Sequence, residues 1–370
     1  MADGPHIPDL LKEIAFADLA GWEADDHQAA LSSFARFCKR EALGEAAAFY
    51  KMPVPDLYDL CLRAEVSGRG SRAEARRFLE VHFTPYRVAH DGFVTGYFEP
   101  ELSASREKTA EYATPLLKKP AGLEPVSAAN RPKDWPDQLS HGRHLNGKLT
   151  EMPDRGAIMD GALDKESLEL VWLADPVDAF YVHVQGSARL RLTDGTVMRV
   201  GYAGKSGHPY TGIARLLVKR GEGTPEEFTM AGTRAWLEKH PEERDALFKE
   251  NRSYIFFREV TEVGDGEGPV GAAGLALTAG RSLAVDPHHV PYGGLVFVDA
   301  DHDQPMAGGP LQRLMVADDT GSAVRGPARG DVFVGSGEAA GAIAGDIRHR
   351  ATFTLLVPEG AFGSGTVVTD

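Results

Sequence analysis

The sequence predicts a mainly β chain with a helical N-terminal part, in which a small β-barrel is interrupted by a second β-rich domain. Three observations carry that prediction. Apolar residues recur at helical spacing to about residue 90. A polar stretch rich in Pro and Gly, with few periodic apolar positions, then occupies 106–155. From about residue 250 onward, short strand patterns alternate with glycine loops, the spacing of a small barrel. The chain has 370 residues, enough for two domains of ordinary size. Its changes of texture divide it into 1–105, 106–250 and 251–370, the last part completing the domain that the first begins.

Composition narrows the function classes. Hydrophobic residues make up 42% and charged residues 25%, which is globular rather than disordered. Acidic side chains outnumber basic ones 54 to 40, a net charge of -14. Phosphate binding needs clustered Lys and Arg, so a broad nucleic-acid surface is excluded, whereas a neutral substrate such as a glycan is not. No apolar run is long enough for a transmembrane segment. The opening MADGPHIPDLLKE has neither the basic flank nor the apolar core of a secretory signal, so an exported form would have lost or exchanged its leader. Cys38 and Cys61 lie on apolar helical stripes, and they read either as two small buried hydrophobes or as one disulfide between packed helices.

The elements follow in chain order. Asp25 or Asp26 caps a helix from about 27 to 40, and a later stripe runs through Ala75, Phe78, Leu79 and Phe83. Alternation over 179–192, with Phe180, Val182 and Val184 on one face, predicts a strand. Asp194-Gly195 then makes a two-residue hairpin into a strand at 196–202. Thr224, Pro225 and Glu227 spell a helix start with a capping box, and Pro241 ends that helix. Strands are expected at 253–258, 294–299, 313–317, 331–334 and 352–357. Gly335, Gly337 and Gly341 read as helix-packing glycines, because no phosphate-binding lysine accompanies them.

The C-terminal third holds the chemistry. Asp286, Asp319 and Asp331 each sit at a strand end beside Gly or Pro turns, positions that can meet at one rim of a barrel. Turn aspartates also commonly serve only to satisfy nearby amides. Asp331 differs in kind, since Val332, Phe333 and Val334 can bury it and keep it protonated as a general acid. Asp319-Thr320-Gly321 also spells an aspartic-protease motif, but those enzymes need two such carboxylates, and no second Asp-Thr-Gly or Asp-Ser-Gly occurs. His141, His144, His288 and His289 lack the context of a metal site.

These residues fall within longer stretches that resemble a known family. TGYFEPEL (95–102), YVHVQGSARLRL (181–192), GYAGKSGHPYTGIARLL (201–217), NRSYIFFRE (251–259), LTAGRSLAVDPHHVPYG (277–293) and the run 316–345 are collinear. Together they resemble the membrane-bound lytic murein transglycosylase A family with its C-terminal three-aspartate (3D) domain. The sequence departs from the family pattern at Ser322, Val324 and Arg325, where Gly, Ile and Lys are usual, and at Val334, where Trp is common.

The resemblance implies a double-psi β-barrel domain with an inserted second β-barrel domain and a substrate groove between them. It implies a single-acid cleavage of the β-1,4 bond between N-acetylmuramic acid and N-acetylglucosamine, giving 1,6-anhydromuramic acid ends. Asp331 falls on the family's catalytic aspartate, with Asp319 beside it and Asp286 as the third. Tyr97, Glu99, Gln185, Ser187, Lys205, Tyr210, Thr320 and Gly321 join Asp286 as candidate substrate contacts. Gln185 stands out as a polar residue in an apolar run, followed by Gly186, where backbone can approach a ligand. No cofactor or metal is expected. The partners implied are peptidoglycan glycan strands and other cell-wall enzymes, and the place is the periplasm at the outer membrane. A non-catalytic wall-binding module and a hydrolytic glycosidase using Asp319 and Asp331 together are the alternatives.

Overall fold

The chain folds as two units. Met1–Phe98, Asp265–Gly335 and Ala339–Asp370 form the first, and Glu99–Gly264 with Ser336–Glu338 the second. The sequence texture put its divisions at 105/106 and 250/251. The computed structural model describes residues 10–37, 43–264, 267–300 and 311–362.

The first unit begins with β1 (Leu11–Glu13) and helices α1 (His27–Phe37), α2 (Leu43–Tyr50), α3 (Val54–Gly68) and α4 (Arg72–His82), then β2 (Phe83–Val88) and β3 (Gly92–Glu99). Of the two candidate caps, Asp26 starts α1, accepting from the Ala29 N–H at 3.1 Å. Asp25 is instead buried in an ion pair with Arg281 at 2.8 Å. The helical stripe ends earlier than its apolar spacing suggests: Phe83 opens β2, because Pro85 cannot continue a helix and restricts Thr84 before it. Cys61 is buried on α3 and disulfide-bonded. Cys38 lies outside the described residues.

The second unit runs through β4 (Glu101–Ser105), β5 (Thr114–Leu117), β6 (Leu123–Pro125), β7 (His141–Leu145), β8 (Lys148–Thr150), α5 (Arg155–Met159), β9 (Glu169–Leu173), α6 (Pro176–Gln185), β10 (Ser187–Leu192) and β11 (Val197–Lys205). It finishes with α7 (Ile213–Arg220), α8 (Met230–Lys239), α9 (Pro241–Glu250) and β12 (Ile255–Glu259). Six strands order as β12-β11-β10-β4-β9-β5, and Lys118, just past β5, bridges to Phe257 in β12, so this sheet closes on itself. Its core includes Leu116, Val171, Leu190, Val200 and Phe257, with Val182 of α6 packed in.

Three expectations need correction here. The strand expected from 179 is helix as far as Gln185: Asp175 caps α6, Pro176 takes the first turn, and Gly186 ends it at φ 81°. Buried residues surround most of α6, so its sequence shows no single apolar stripe and mimics alternation. The following hairpin has a three-residue loop, since the Leu192 N–H donates to the Thr196 carbonyl at 2.8 Å and Gly195 takes a positive φ of 84°. Thr224 and Glu227 do form their reciprocal bonds, but they close only a turn; α8 starts later, capped by Thr229.

The first unit resumes with β13 (Ser282–Val285), β14 (Leu295–Ala300), β15 (Gln312–Asp319), β16 (Arg329–Ser336), α10 (Glu338–Asp346) and β17 (Arg348–Pro358). Its sheet orders as β1-β2-β17-β14-β15-β13-β16-β3, and β17 also pairs with β3. Hence β17, β14, β15, β13, β16 and β3 form a closed six-stranded barrel, with β2 and β1 added outside β17. Every residue of β13 is buried, and β14 and β17 are buried along most of their length, as an enclosed barrel wall requires. Gly341 of α10 is a packing glycine, as expected: a Cβ there would stand 2.8 Å from the Phe98 ring.

Candidate active site

Strand register brings two of the three candidate aspartates together. Ala284 in β13 pairs with Asp319 of β15 on one side and Asp331 of β16 on the other. Two strand spacings put their Cα atoms about 10 Å apart. The β13–β15 ladder is uneven here, since Leu283 pairs with Ala317 but Ala284 with Asp319. Asp318 is therefore the extra residue of a β-bulge, a device that re-aims neighbouring side chains.

Asp331 is partly exposed and sits third in β16, not at the strand's opening. The Thr95 hydroxyl donates to its Oδ1 at 2.6 Å. Burial pushes the Asp331 carboxyl up to about 6, and the charge of Asp319 adds to the rise, against Thr95 and the Arg329 guanidinium. Arg329 in turn donates to Thr95 Oγ1 at 2.7 Å.

Asp319 accepts from the Tyr97 hydroxyl at 2.6 Å and from the Ala272 N–H at 2.9 Å. Burial raises its carboxyl in spite of those donors. Tyr97 packs on Phe333 with ring centroids 5.4 Å apart. Burial, then the Asp319 charge, holds the Tyr97 phenol well above its usual range, so it remains a donor. Asp318 went unnoticed in the sequence. It is buried, accepts from the Ser282 hydroxyl at 2.6 Å, and its other oxygen has no partner among the described residues. Burial raises this carboxyl well above the carboxylate range.

Asp286 behaves differently. It is buried in the turn after β13, where its oxygens accept from the Gly326 N–H at 3.0 Å and the His288 N–H at 3.2 Å. The His288 ring nitrogen lies 2.9 Å from the same carboxylate. Burial opposes ionisation, but these donors and Arg325 outweigh it and hold the carboxyl below its usual range. Thr320 donates to the Val285 carbonyl at 2.7 Å, and a side chain at Gly321 would press on Val324 at 3.2 Å. These three positions shape the turns beside the aspartates.

The remaining candidates belong to the second unit. Glu99 has no exposed surface: Arg199 lies 2.8 Å from its Oε1, and Ser336 donates to its Oε2 at 2.8 Å. It is a packing ion pair, because every face of the carboxylate is enclosed. Ser187 is buried in β10 opposite Gly201. Gln185 ends α6, and Gly186 caps the helix with open space where a Cβ would stand. Lys205, at the end of β11, and Tyr210 are half-buried. Among the described residues no group of three or more His, Cys, Asp or Glu is placed to hold a metal ion.

A carboxyl that keeps its proton toward neutrality can hand it to a leaving oxygen, which is the equipment of enzymes that break glycosidic bonds. Family models for the MltA specific insert domain and the 3D domain match residues 93–258 and 281–357. Membrane-bound lytic murein transglycosylase A of Escherichia coli K12 is 31% identical over 279 residues, covering 74% of this chain and 67% of the relative. The crystal structure of membrane-bound lytic murein transglycosylase from Agrobacterium tumefaciens is 38% identical with a TM-score of 0.84, covering 94% of this chain and 97% of that one. E. coli MltA with bound chitohexaose shares the fold, with a TM-score of 0.68 at 22% identity over 94% of each chain.

The chain belongs to the membrane-bound lytic murein transglycosylase A family. It is a peptidoglycan lytic transglycosylase. No helix among the described residues is long and apolar enough to cross a membrane.

Proposed function

We propose that Asp331 alone supplies the acid and then the base of the cleavage. In the first half-reaction its proton goes to the glycosidic oxygen as the bond from C1 of N-acetylmuramic acid breaks. In the second, the C6 hydroxyl of the same ring bonds to C1, its proton passes to the Asp331 carboxylate, and a 1,6-anhydro end remains. The nucleophile is already attached to the substrate, so proximity takes over the work of a second carboxylate. The observation that carries this reading is the raised Asp331 carboxyl beside a single hydroxyl donor. Ordinary glycosidases need a second, free carboxylate as nucleophile or base. Asp319 suits that role poorly, since each of its oxygens already accepts a hydrogen bond. We assign Asp319 and Tyr97 to holding the charge and shape around Asp331.

The substrate in this reading is the murein glycan strand, in keeping with the chitohexaose bound to the E. coli relative. Gln185, Lys205 and Tyr210 are the second-unit candidates with exposed surface for sugar contacts. We place the enzyme in the periplasm, attached to the outer membrane, as the relatives' name "membrane-bound" suggests. Product mass tests the chemistry: digestion of purified sacculi should release ends one water lighter than reducing ends. Exclusively reducing ends would overturn the mechanism.

A further inference from the structure

Three adjoining strands of the first unit bring arginines to the face on which Asp331 meets Thr95. Arg329 precedes Asp331 by two positions on β16, donates to Thr95, and stands 5.7 Å from the centre of the Phe93 ring. Phe93 and Thr95 lie on one face of β3, and register pairs them with Arg350 and Arg348 of β17. Directly opposed residues of an antiparallel pair share a face, so both arginines border the β3 row on the side away from β16. Arg348 and Arg350 are exposed, and Phe93 is 39% exposed. Three arginines thus stand on one face next to the proposed acid, in a chain of net charge -14.

We propose that Arg329, Arg348 and Arg350, with Phe93 between them, form a shelf for carboxylates on the peptide side chains that a murein strand carries. The shelf favours peptide-bearing strands over bare glycan, and this rests on the murein-strand substrate of the preceding section. A neutral sugar has no use for three cations, whereas guanidinium groups match carboxylates with two parallel hydrogen bonds. Phe93 gives a guanidinium a flat surface to lie on and a dry edge for aliphatic peptide. Arg329 also touches Thr95, the hydroxyl bonded to Asp331, so the test relies on β17.

Binding and kcat/KM should be measured for soluble peptide-bearing strands, for strands whose peptide carboxylates are amidated, and for strands stripped of peptide. Wild type should prefer the first over the other two. The preference should fall about threefold to tenfold in an Arg348→Gln/Arg350→Gln double variant, the range expected for two solvent-facing charge pairs. It should return in part in the Arg348→Lys/Arg350→Lys variant, which keeps the charges but not the paired hydrogen bonds, and shrink with added salt in wild type. An equal preference in wild type and the Gln variant would overturn the shelf, as would equal loss in the Lys variant or a wild-type preference for stripped strands. Because binding is read separately from turnover, hydrolysed ends would count against the Asp331 mechanism and not against the shelf.

Discussion

The turn after β13 and the strands β15 and β16 hold aspartates in opposite electrostatic states. Asp286, in the turn, is drawn below its usual range, whereas Asp319 and Asp331, on the strands, are pushed above it. Burial opposes ionisation at all three. At Asp286 the donors and the Arg325 charge outweigh it, whereas at Asp319 it outweighs two donors and at Asp331 it outweighs one hydroxyl and Arg329. A turn leaves backbone N–H groups free to point at a carboxylate, and Asp286 collects those of His288 and Gly326. A strand spends its N–H groups on the ladder, so Asp331 is left with one hydroxyl. A barrel wall is thus a place where a carboxyl can be kept protonated without a special pocket.

The sharpest break of that contrast is Asp331→Asn. It should cut cleavage of sacculi by about 10²–10⁴-fold, the usual worth of a positioned acid and base. The same variant should be the more stable protein at pH 8. A raised carboxyl binds its proton more tightly in the native state, so stability falls as pH rises from the unfolded value toward about 6 and stays lower beyond. Removing the charge should recover up to about 3 kcal/mol at pH 8 and almost nothing at pH 4, by thermal or urea unfolding.

Asp286→Asn should show the reverse. A lowered carboxyl stabilises above its unfolded pKa, and that stability is lost as pH falls through the native value. The variant should therefore lose about 1–3 kcal/mol at pH 7, with the loss fading toward strong acid. In wild type, activity should decline as pH rises past about 6, where Asp331 gives up its proton. A rate still climbing above pH 8 would remove Asp331 as donor. Smaller shifts refine this limb. Thr95→Val removes a donor that favours the charged form and should move the limb upward, while Asp319→Asn removes a repelling charge and should move it downward. Each shift should be under about one pH unit in pH–rate profiles.

Much of this was legible in the chain. The strands from 294 onward announce themselves as short β-branched and aromatic runs, and Val332 and Phe333 mark Asp331 as a carboxyl bound for burial. Helix α6 was hidden because it is buried on most sides, although Asp175-Pro176 spelled its start. Asp318 was hidden because a bulge exists only between two strands; neither sequence reveals which residue will be the extra one. Thr95 and Arg329 needed the register of β16 beside β3, which no local pattern encodes. Glu99 and Ser187 drew attention as polar residues in the right stretches, and only packing could show both to be enclosed.

The reach of the Thr95–Asp331 bond has a consequence for how the enzyme is made. Its two ends are 236 positions apart, so the hydroxyl is synthesised long before the acid it steadies. β3 likewise waits for Arg348–Ala351 of β17 before the barrel can shut. Contacts of such separation form slowly, after the entropy of a long loop has been overcome. If Asp331 is the acid, as proposed, a chain still emerging, or one cut short before β16, carries none. On the proposed role of Asp331, topology alone withholds wall cleavage from an unfinished copy.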